Sequence, residues 1–257
     1  MKRKITIRKI IRKIMRIINT ILNETVVRLY KILGRWYITP VLLADWKWSR
    51  YKHINERAIE FAFAFKWLSK ICPIEVLDVG SGTTAWPHIM ANCGFGVTAI
   101  DKIKGYWKGG FFNRHYYIIN DDITKTKIAK QFDLITCISV LEHIPDHKAA
   151  VRGMFELLNP LGYIVLTFPY NETRYVDNVY KLPDAGDYGK GAPFICQVFS
   201  RNEIDNWLQE NRGTIIKQEY YEVFNGNLWS FGKRIYPPRK VKKQERCHLT
   251  CLVIQKT

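Results

Sequence analysis

The densest chemical signal in the chain is the string Asp78-Val79-Gly80-Ser81-Gly82-Thr83-Thr84. A glycine-rich turn after an apolar run lets a ligand approach the backbone without meeting a Cβ. Asp101 closes the next apolar run, about 20 residues on, where a carboxylate can accept both hydroxyls of a ribose. The pair Asp121–Asp122 closes the run after that. Acidic groups at three successive strand ends would line one crevice at the carboxyl edge of a sheet. A second signal is Glu142-His143, the best-placed titratable pair, because an imidazole titrates near neutrality. It reads as a general base with a carboxyl neighbour, or as a pair that only caps the next helix or holds a cofactor. Asp146 and His147 are further candidates in the same turn. His88 and His115 read as structural or solvated.

These residues need elements to hold them, and the pattern supplies them. NERAIEFAFAFKWLSKI reads as a helix, and PIEVLDVG as a buried strand. TAWPHIMANCG fits a helix with a glycine stop. GVTAID, HYYIINDDI and FDLITCISVL read as the next three strands. DHKAAVRGMFELLNPLG is a helix closed by Asn-Pro and Gly. YIVLTFP is a fifth strand, NEIDNWLQENRG a helix, and TIIKQEYYEVF and LTCLVIQK are two closing strands. Strands alternating with helices predict an α/β fold, a doubly wound, mostly parallel seven-stranded sheet. The closing strands, with no helix between them, predict an antiparallel edge hairpin.

The 257 residues suit one such domain, at 51–257, with a helical extension at 1–50. A composition 47% hydrophobic and 25% charged excludes a disordered chain. The net charge of +17 is unevenly placed. Residues 1–50 hold 13 basic and 2 acidic residues, and residues 233–246 hold 7 and 1. The body between them is close to neutral, so the charge sits on two basic appendages. Residues 1–24 predict an amphipathic helix. With Ile7 at zero, Ile10, Ile11, Ile14, Ile18, Ile21 and Leu22 fall within about 60° of it, and Arg8, Lys9, Arg12, Lys13 and Arg16 fall opposite. That geometry suits a helix lying in an anionic membrane surface. Packing on the protein's own core, an organelle transit segment and a nucleic-acid arm are the competing readings, in that order. No stretch of 18 uncharged apolar residues exists, and Lys and Arg recur through the apolar part of the N-terminus, so neither a transmembrane helix nor a secretory signal is expected. Gly34 and Pro40 predict a break before residue 50. The six cysteines are scattered in apolar runs, and Cys247-His248-x-x-Cys251 lacks a zinc-ligand spacing, so no metal is expected.

The strings VLDVGSGT (76–83), VTAID (97–101), INDDIT (119–124), FDLITCISVLEHIPD (132–146) and LNPLGYIVLTFP (158–169) follow one another in an order and spacing that resembles the class I S-adenosylmethionine-dependent methyltransferases. The resemblance covers roughly residues 54–257. RAIEFAFAF and VLEHI resemble, more narrowly, methyltransferases of surface-glycan and lipid biosynthesis. The resemblance implies S-adenosylmethionine as cofactor, its methionine part held by Asp78, Gly80, Ser81 and Gly82. It implies Asp101 on the ribose and Asp122, with the Ile123 backbone, at the adenine, Asp121 being the other reading. Cys137, Ile138 and Ser139 would approach the methionine end. Tyr170 and Asn171 would open the acceptor pocket with the loop 183–193. TFPYN (167–171) is similar to a motif of nucleobase methyltransferases but follows strand five rather than strand four, so nucleic acid is a less favoured substrate. A dehydrogenase is the nearest alternative for the glycine turn, but VLEHI followed by LNPLGYIVLTFP is not a nicotinamide-site pattern. The implied function is methyl transfer to a small-molecule, glycan or lipid-linked acceptor, in the cytoplasm at the membrane face. The rivals are an RNA or protein methyltransferase that binds a polyanion and an inactive cofactor-binding scaffold.

Overall fold

The computed structural model describes residues 2–49, 54–103, 110, 112–186, 189 and 191–257, with no side-chain account for residues 1–19, 45, 48 and 49. The chain divides into two units, Met1–His53 and Ile54–Thr257. The first is a single helix, α1 (Lys2–Ser49). It runs through Gly34 and Pro40, where the sequence predicts a break. A proline removes one backbone N–H bond and crowds the carbonyl four residues back, at a cost of about 3 kcal/mol. One such defect is tolerated in a run otherwise rich in Leu, Ile, Arg and Lys. The side chains from Thr20 to Lys47 that the structure describes are exposed, apart from a partly buried Ile38. The Ile and basic stripes predicted between residues 7 and 19 lie outside the described side chains.

In the second unit, α2 (Arg57–Ile71), β1 (Glu75–Val79), α3 (Trp86–Asn92), β2 (Gly96–Asp101) and β3 (Ile119–Asn120) follow in order. They are succeeded by β4 (Phe132–Ile138), α4 (His147–Glu156), β5 (Leu158–Pro169) and α5 (Arg201–Asn211). β6 (Gly213–Phe224), β7 (Arg234–Val241) and β8 (Leu249–Lys256) close the chain. The sheet order is β3-β2-β1-β4-β5-β8-β6-β7. The pairs among β1 to β5 are parallel; β8 runs antiparallel to β5 and β6, and β7 antiparallel to β6. The chain leaves β1 toward β2 and β3, then returns to place β4 on the other side of β1. Such a reversal opens a crevice at the carboxyl ends of β1 and β4, where ligands bind in open α/β sheets.

Side-chain alternation along the strands feeds two cores. Leu77, Ile135, Leu166 and Phe168 pack with Val151, Met154, Phe155 and Trp207 of α4 and α5. Val76, Leu134 and Val165 pack with Phe63, Trp67 and Leu68 of α2 and Trp86 and Met90 of α3. Each fully buried large apolar side chain contributes roughly 1.5–3 kcal/mol, so helices on both faces follow from strands apolar on both faces.

The closing strands differ from the sequence expectation in two ways. β8 is not an edge; it inserts between β5 and β6. The edge is β7, an eighth strand, formed by the segment that reads as a basic appendage. Pro237 and Pro238 within it suit an edge, where a missing N–H breaks no internal ladder. Its charge is largely matched: Arg239 and Arg246 pair with Glu222, Lys240 with Glu219, Lys243 with Glu172, and Arg234 with Glu56. The carboxylates of Glu56, Glu219 and Glu222 in these pairs are buried, and the pairing leaves this edge far less cationic than its composition suggests.

Candidate active site

A cavity of about 490 Å³ opens at the carboxyl ends of β1, β2 and β4. One end of it is built by hydrogen bonds within the glycine turn. Gly80 sits at φ +77°, and a Cβ there would come within 2.3 Å of the Val140 side chain, so the turn following β4 can close on β1 only over a glycine. The Gly80 N–H donates to the Ile100 carbonyl at 2.9 Å. Asp78 is buried. Its two carboxylate oxygens accept from the Ser81 hydroxyl at 2.6 Å and the Thr136 hydroxyl at 2.7 Å. Burial outweighs these bonds and pushes its pKa up to about 6. Asp101 Oδ2 accepts from the Gly82 N–H at 2.8 Å, and burial raises this carboxyl too.

Asp121 and Asp122 close this end. Asp121 accepts from the Asp122 N–H, the Thr126 hydroxyl and the Lys127 N–H, which makes it a turn builder. Asp122 caps the turn Ile123–Lys125 through the Thr124 N–H and hydroxyl and pairs with Lys102 at 3.0 Å. Burial opposes ionisation of Asp122, but the Thr124 and Lys102 bonds prevail and lower its pKa. The structure thus brings Asp78, Gly80, Ser81, Gly82, Asp101, Asp121, Asp122, Ile123, Ile138 and Ser139 to one cavity. A Cβ at Gly82 would meet nothing within 4 Å, so the turn faces open space. Strand-end carboxylates, exposed backbone and the apolar Ile123 match the needs of a ribose, an amino acid and a purine.

The other end is assembled from distant elements. Arg57 and Phe61, one turn apart on α2, reach it together with Trp86 at the start of α3 and Phe194. Phe61 stacks on Trp86 with centroids 4.6 Å apart. Arg57 Nη1 donates to the Ile138 carbonyl at 2.9 Å and to Glu60 at 3.2 Å. Glu60 is wholly buried; one of its oxygens meets the Ser139 hydroxyl at 2.5 Å and the Thr167 hydroxyl at 2.7 Å. Burial raises its pKa. Ser139, at φ +48°, ends β4 in the left-handed region, and its bond to Glu60 and the Thr167 contacts hold it there.

His143 is the titratable group with the clearest geometry. Its Nδ1 lies 2.6 Å from the Ile195 carbonyl. A carbonyl only accepts, so Nδ1 carries the proton and Nε2 keeps its lone pair. Burial lowers its pKa and favours the neutral ring. Phe194 packs edge-on at 4.8 Å, and Glu142 Oε1 lies 3.8 Å from Nε2. Glu142 is buried, its Oε2 has no hydrogen-bond partner among the described residues, and desolvation pushes its pKa up to about 8. Burial thus favours the uncharged form of both members near neutral pH.

Three expected site residues stand elsewhere. Cys137 packs its thiol in the core beneath α4, because β4 alternates and Ile138 takes the cavity side. Tyr170 is fully buried, its hydroxyl on Glu172 at 2.7 Å and the Arg201 guanidinium over its ring. Asn171 caps the turn to Thr173 and Arg174. The chain past β5 bridges to Phe199 rather than opening toward the cavity. In the loop 183–193, residues 187, 188 and 190 lie outside the described residues, and Phe194 just beyond is the side chain that arrives. Asp146 caps α4 through the Ala149 N–H and also lines the cavity. His147 accepts from the Trp207 indole at 3.0 Å, and His248 is buried between Val223 and Gly226, so both are core residues. The i, i+4 spacing of Arg57 and Phe61 was the available signal for the missed wall, since it puts both on one helix face; Phe194 had none.

A model of the methyltransferase domain matches residues 47–214. The ubiquinone biosynthesis O-methyltransferase of Psychrobacter arcticus is 34% identical over 134 residues, which are 45% of this chain and 52% of that protein. The protein of the same name from Albidiferax ferrireducens is 30% identical over 110 residues, 38% of this chain and 44% of the relative. The chain spans about half the length of the curated relatives it matches. In fold it is similar to the 1,6-didemethyltoxoflavin-N1-methyltransferase of Burkholderia thailandensis, with a TM-score of 0.54 at 15% identity over 90% of this chain and 89% of that one. The domain match, spanning most of the cavity-forming unit, carries the assignment: this chain belongs to the class I S-adenosylmethionine-dependent methyltransferases.

Proposed function

We propose that the protein methylates a hydroxyl group on a small-molecule, glycan or lipid-linked acceptor, with His143 as the general base. The observation that carries this reading is the fixed tautomer of His143, whose lone-pair nitrogen belongs to a residue lining the cavity. S-adenosylmethionine supplies an electrophilic methyl group when bound. Asp101, Gly80, Ser81, Gly82, Asp122, Ile123 and Ser139 would hold it, and Arg57 offers a cation to an anionic group at the far end. A hydroxyl acceptor gains from a base, whereas an amine needs only its neutral form. His143 Nε2 would take the hydroxyl proton, and the imidazolium so formed would sit beside Glu142, drawing that carboxyl toward ionisation. Phe61, Trp86 and Phe194 would exclude water and align the acceptor, which is most of what an in-line displacement needs. The names of the curated relatives, O-methyltransferases, agree with a hydroxyl acceptor.

The test is transfer of a labelled methyl group into a lipid and glycan extract, with the product identified by mass spectrometry. Label on an oxygen of a small or lipid-linked molecule supports the reading; label only on nitrogen, RNA or protein overturns it. Among the described residues, Arg57 and Lys102 are the Lys and Arg side chains that line the cavity, which gives a polyanionic substrate little to grip there.

The N-terminal helix would keep the protein at an anionic membrane surface. No helix among the described residues is long and apolar enough to cross a membrane. Beyond residue 24 the amphipathic pattern continues: Arg28, Lys31 and Arg35 fall within about 60° of one another, opposite Leu22, Val26, Leu33 and Tyr37. Those four apolar side chains, with Trp36 and Trp46, are exposed. Deleting residues 1–24 should sharply weaken sedimentation with anionic vesicles while cofactor binding persists. Salt should weaken binding of the full chain. Full-length protein that binds RNA but not vesicles would overturn membrane docking.

A further inference from the structure

Asn113 is a side chain that neither the motifs nor the cavity wall include, yet it reaches the glycine turn. It is 8% exposed and saturates all the bonding capacity of its amide in two directions. Its Nδ2 donates to the Gly82 carbonyl and to the Thr84 carbonyl, each at 2.9 Å. Its Oδ1 accepts from the His115 N–H at 2.8 Å and the Tyr116 N–H at 3.0 Å. Gly82 is therefore held at both of its backbone polar groups, its N–H by Asp101 and its carbonyl by Asn113. Gly82 is at φ +53°, and a Cβ there would meet nothing within 4 Å, so packing does not restrain it. A glycine in the left-handed region has wide conformational freedom, so its orientation must come from its hydrogen bonds.

We propose that Asn113 is a positioning residue for the cofactor. It holds the carbonyls of Gly82 and Thr84 in fixed directions, which fixes how the turn and the Asp101 carboxylate bound to it are presented to the cavity. The effect is preorganisation: without the clamp, the turn must be ordered when the cofactor binds. This inference rests on S-adenosylmethionine occupying the glycine-turn end of the cavity.

One substitution separates the clamp from the local turn. Asp is a good replacement wherever a side-chain oxygen only accepts from N–H groups two and three residues on. Asn113→Asp keeps that half of the geometry and turns the other half into a carboxylate oxygen facing two carbonyl oxygens. If Asn113 only shapes its own loop, Asn113→Asp binds the cofactor as the wild type does. If it clamps the turn, Asn113→Asp weakens binding at least tenfold. The measurement is calorimetry of the full-length protein with S-adenosylmethionine and with S-adenosylhomocysteine, beside thermal melts and the KM for acceptor. Weaker binding with acceptor KM and melting temperature held within about twofold and 3 °C supports the clamp. Affinity within twofold of wild type overturns it, and so does a parallel loss of affinity, acceptor KM and melting temperature. Should Asn113→Asp fail to fold, Asn113→Ala is scored by the same criteria. Wild-type protein that binds neither compound would instead overturn the cofactor site itself.

Discussion

The two ends of the cavity are built on different principles. The glycine-turn end is local: Asp78, Ser81, Gly82 and Thr84 bond to one another or to the neighbouring strand ends. Every carboxylate there already accepts hydrogen bonds from its own surroundings, so its shape does not wait for a ligand. The opposite end is non-local. Arg57 and Phe61 come from α2, Trp86 from α3, His143 from the turn after β4 and Phe194 from beyond β5. Packing and burial hold these groups more than turn chemistry does, and burial is what leaves Glu142 and His143 both neutral. Short-range bonding suits a fixed cofactor, and an end assembled from separate elements can vary with the acceptor.

A matched pair of substitutions breaks the comparison in opposite directions. His143→Ala removes the proposed base from the non-local end. Turnover should fall by about 10²–10⁴ with cofactor affinity unchanged. The wild-type rate should also fall on acidification below the lowered imidazole pKa, and that acid limb should vanish in the variant. A loss of only a few-fold would leave His143 as a wall residue. Asp101→Ala acts at the local end. Bonds to a charged acceptor contribute about 1.5–3 kcal/mol each, so cofactor affinity should drop at least tenfold while turnover at saturating cofactor changes much less. If affinity holds, the carboxylate serves only the Gly82 N–H.

The same contrast explains what was legible in the sequence. The glycine turn and the strand-end acids stood out because each closes an apolar run, a pattern that a few consecutive residues display. The parallel core strands were legible because continuous apolar runs encode burial on both faces. Tyr170 and Asn171 were misread because their chemistry, taken alone, resembles a pocket rim. Only the pairing of β5 with β8 and the bridge to Phe199 bury that rim. β7 was missed for a related reason: Arg and Lys hide a strand pattern until their partners Glu219 and Glu222 on β6 are known. The two basic segments had the same composition signature. In one, the described cations Arg28, Lys31, Arg35 and Lys47 are exposed on a helix; in the other, most cations pair with carboxylates.

The smallest expected effect is on stability and concerns the buried acid at the non-local end. A carboxyl raised from its ordinary 4.5 to about 8 keeps its proton in the folded protein where the unfolded chain has lost it. The folded state thus binds more protons between those two values, and stability must fall as pH rises across them. Its contribution is full below pH 4.5 and gone above 8. The slope is at most about 1.4 kcal/mol per pH unit, or ~3 °C in melting temperature for a domain of this size. Asp78, raised to about 6, adds to the slope only in the lower part of the window. His143 acts with the opposite sign, and only at the acidic end, because its pKa is lowered. Between pH 6.5 and 8 Glu142 shares the slope with Glu60, the other raised carboxyl nearby, and a comparison of two proteins that differ only at residue 142 isolates its part. Glu142→Gln keeps the shape and cannot ionise, so its melting temperature should gain on the wild type steadily from pH 6.5 to 8. A gap between the two proteins that stays constant over that range would mean that Glu142 is ionised throughout in the folded protein as well, and that the His143 end is not neutral.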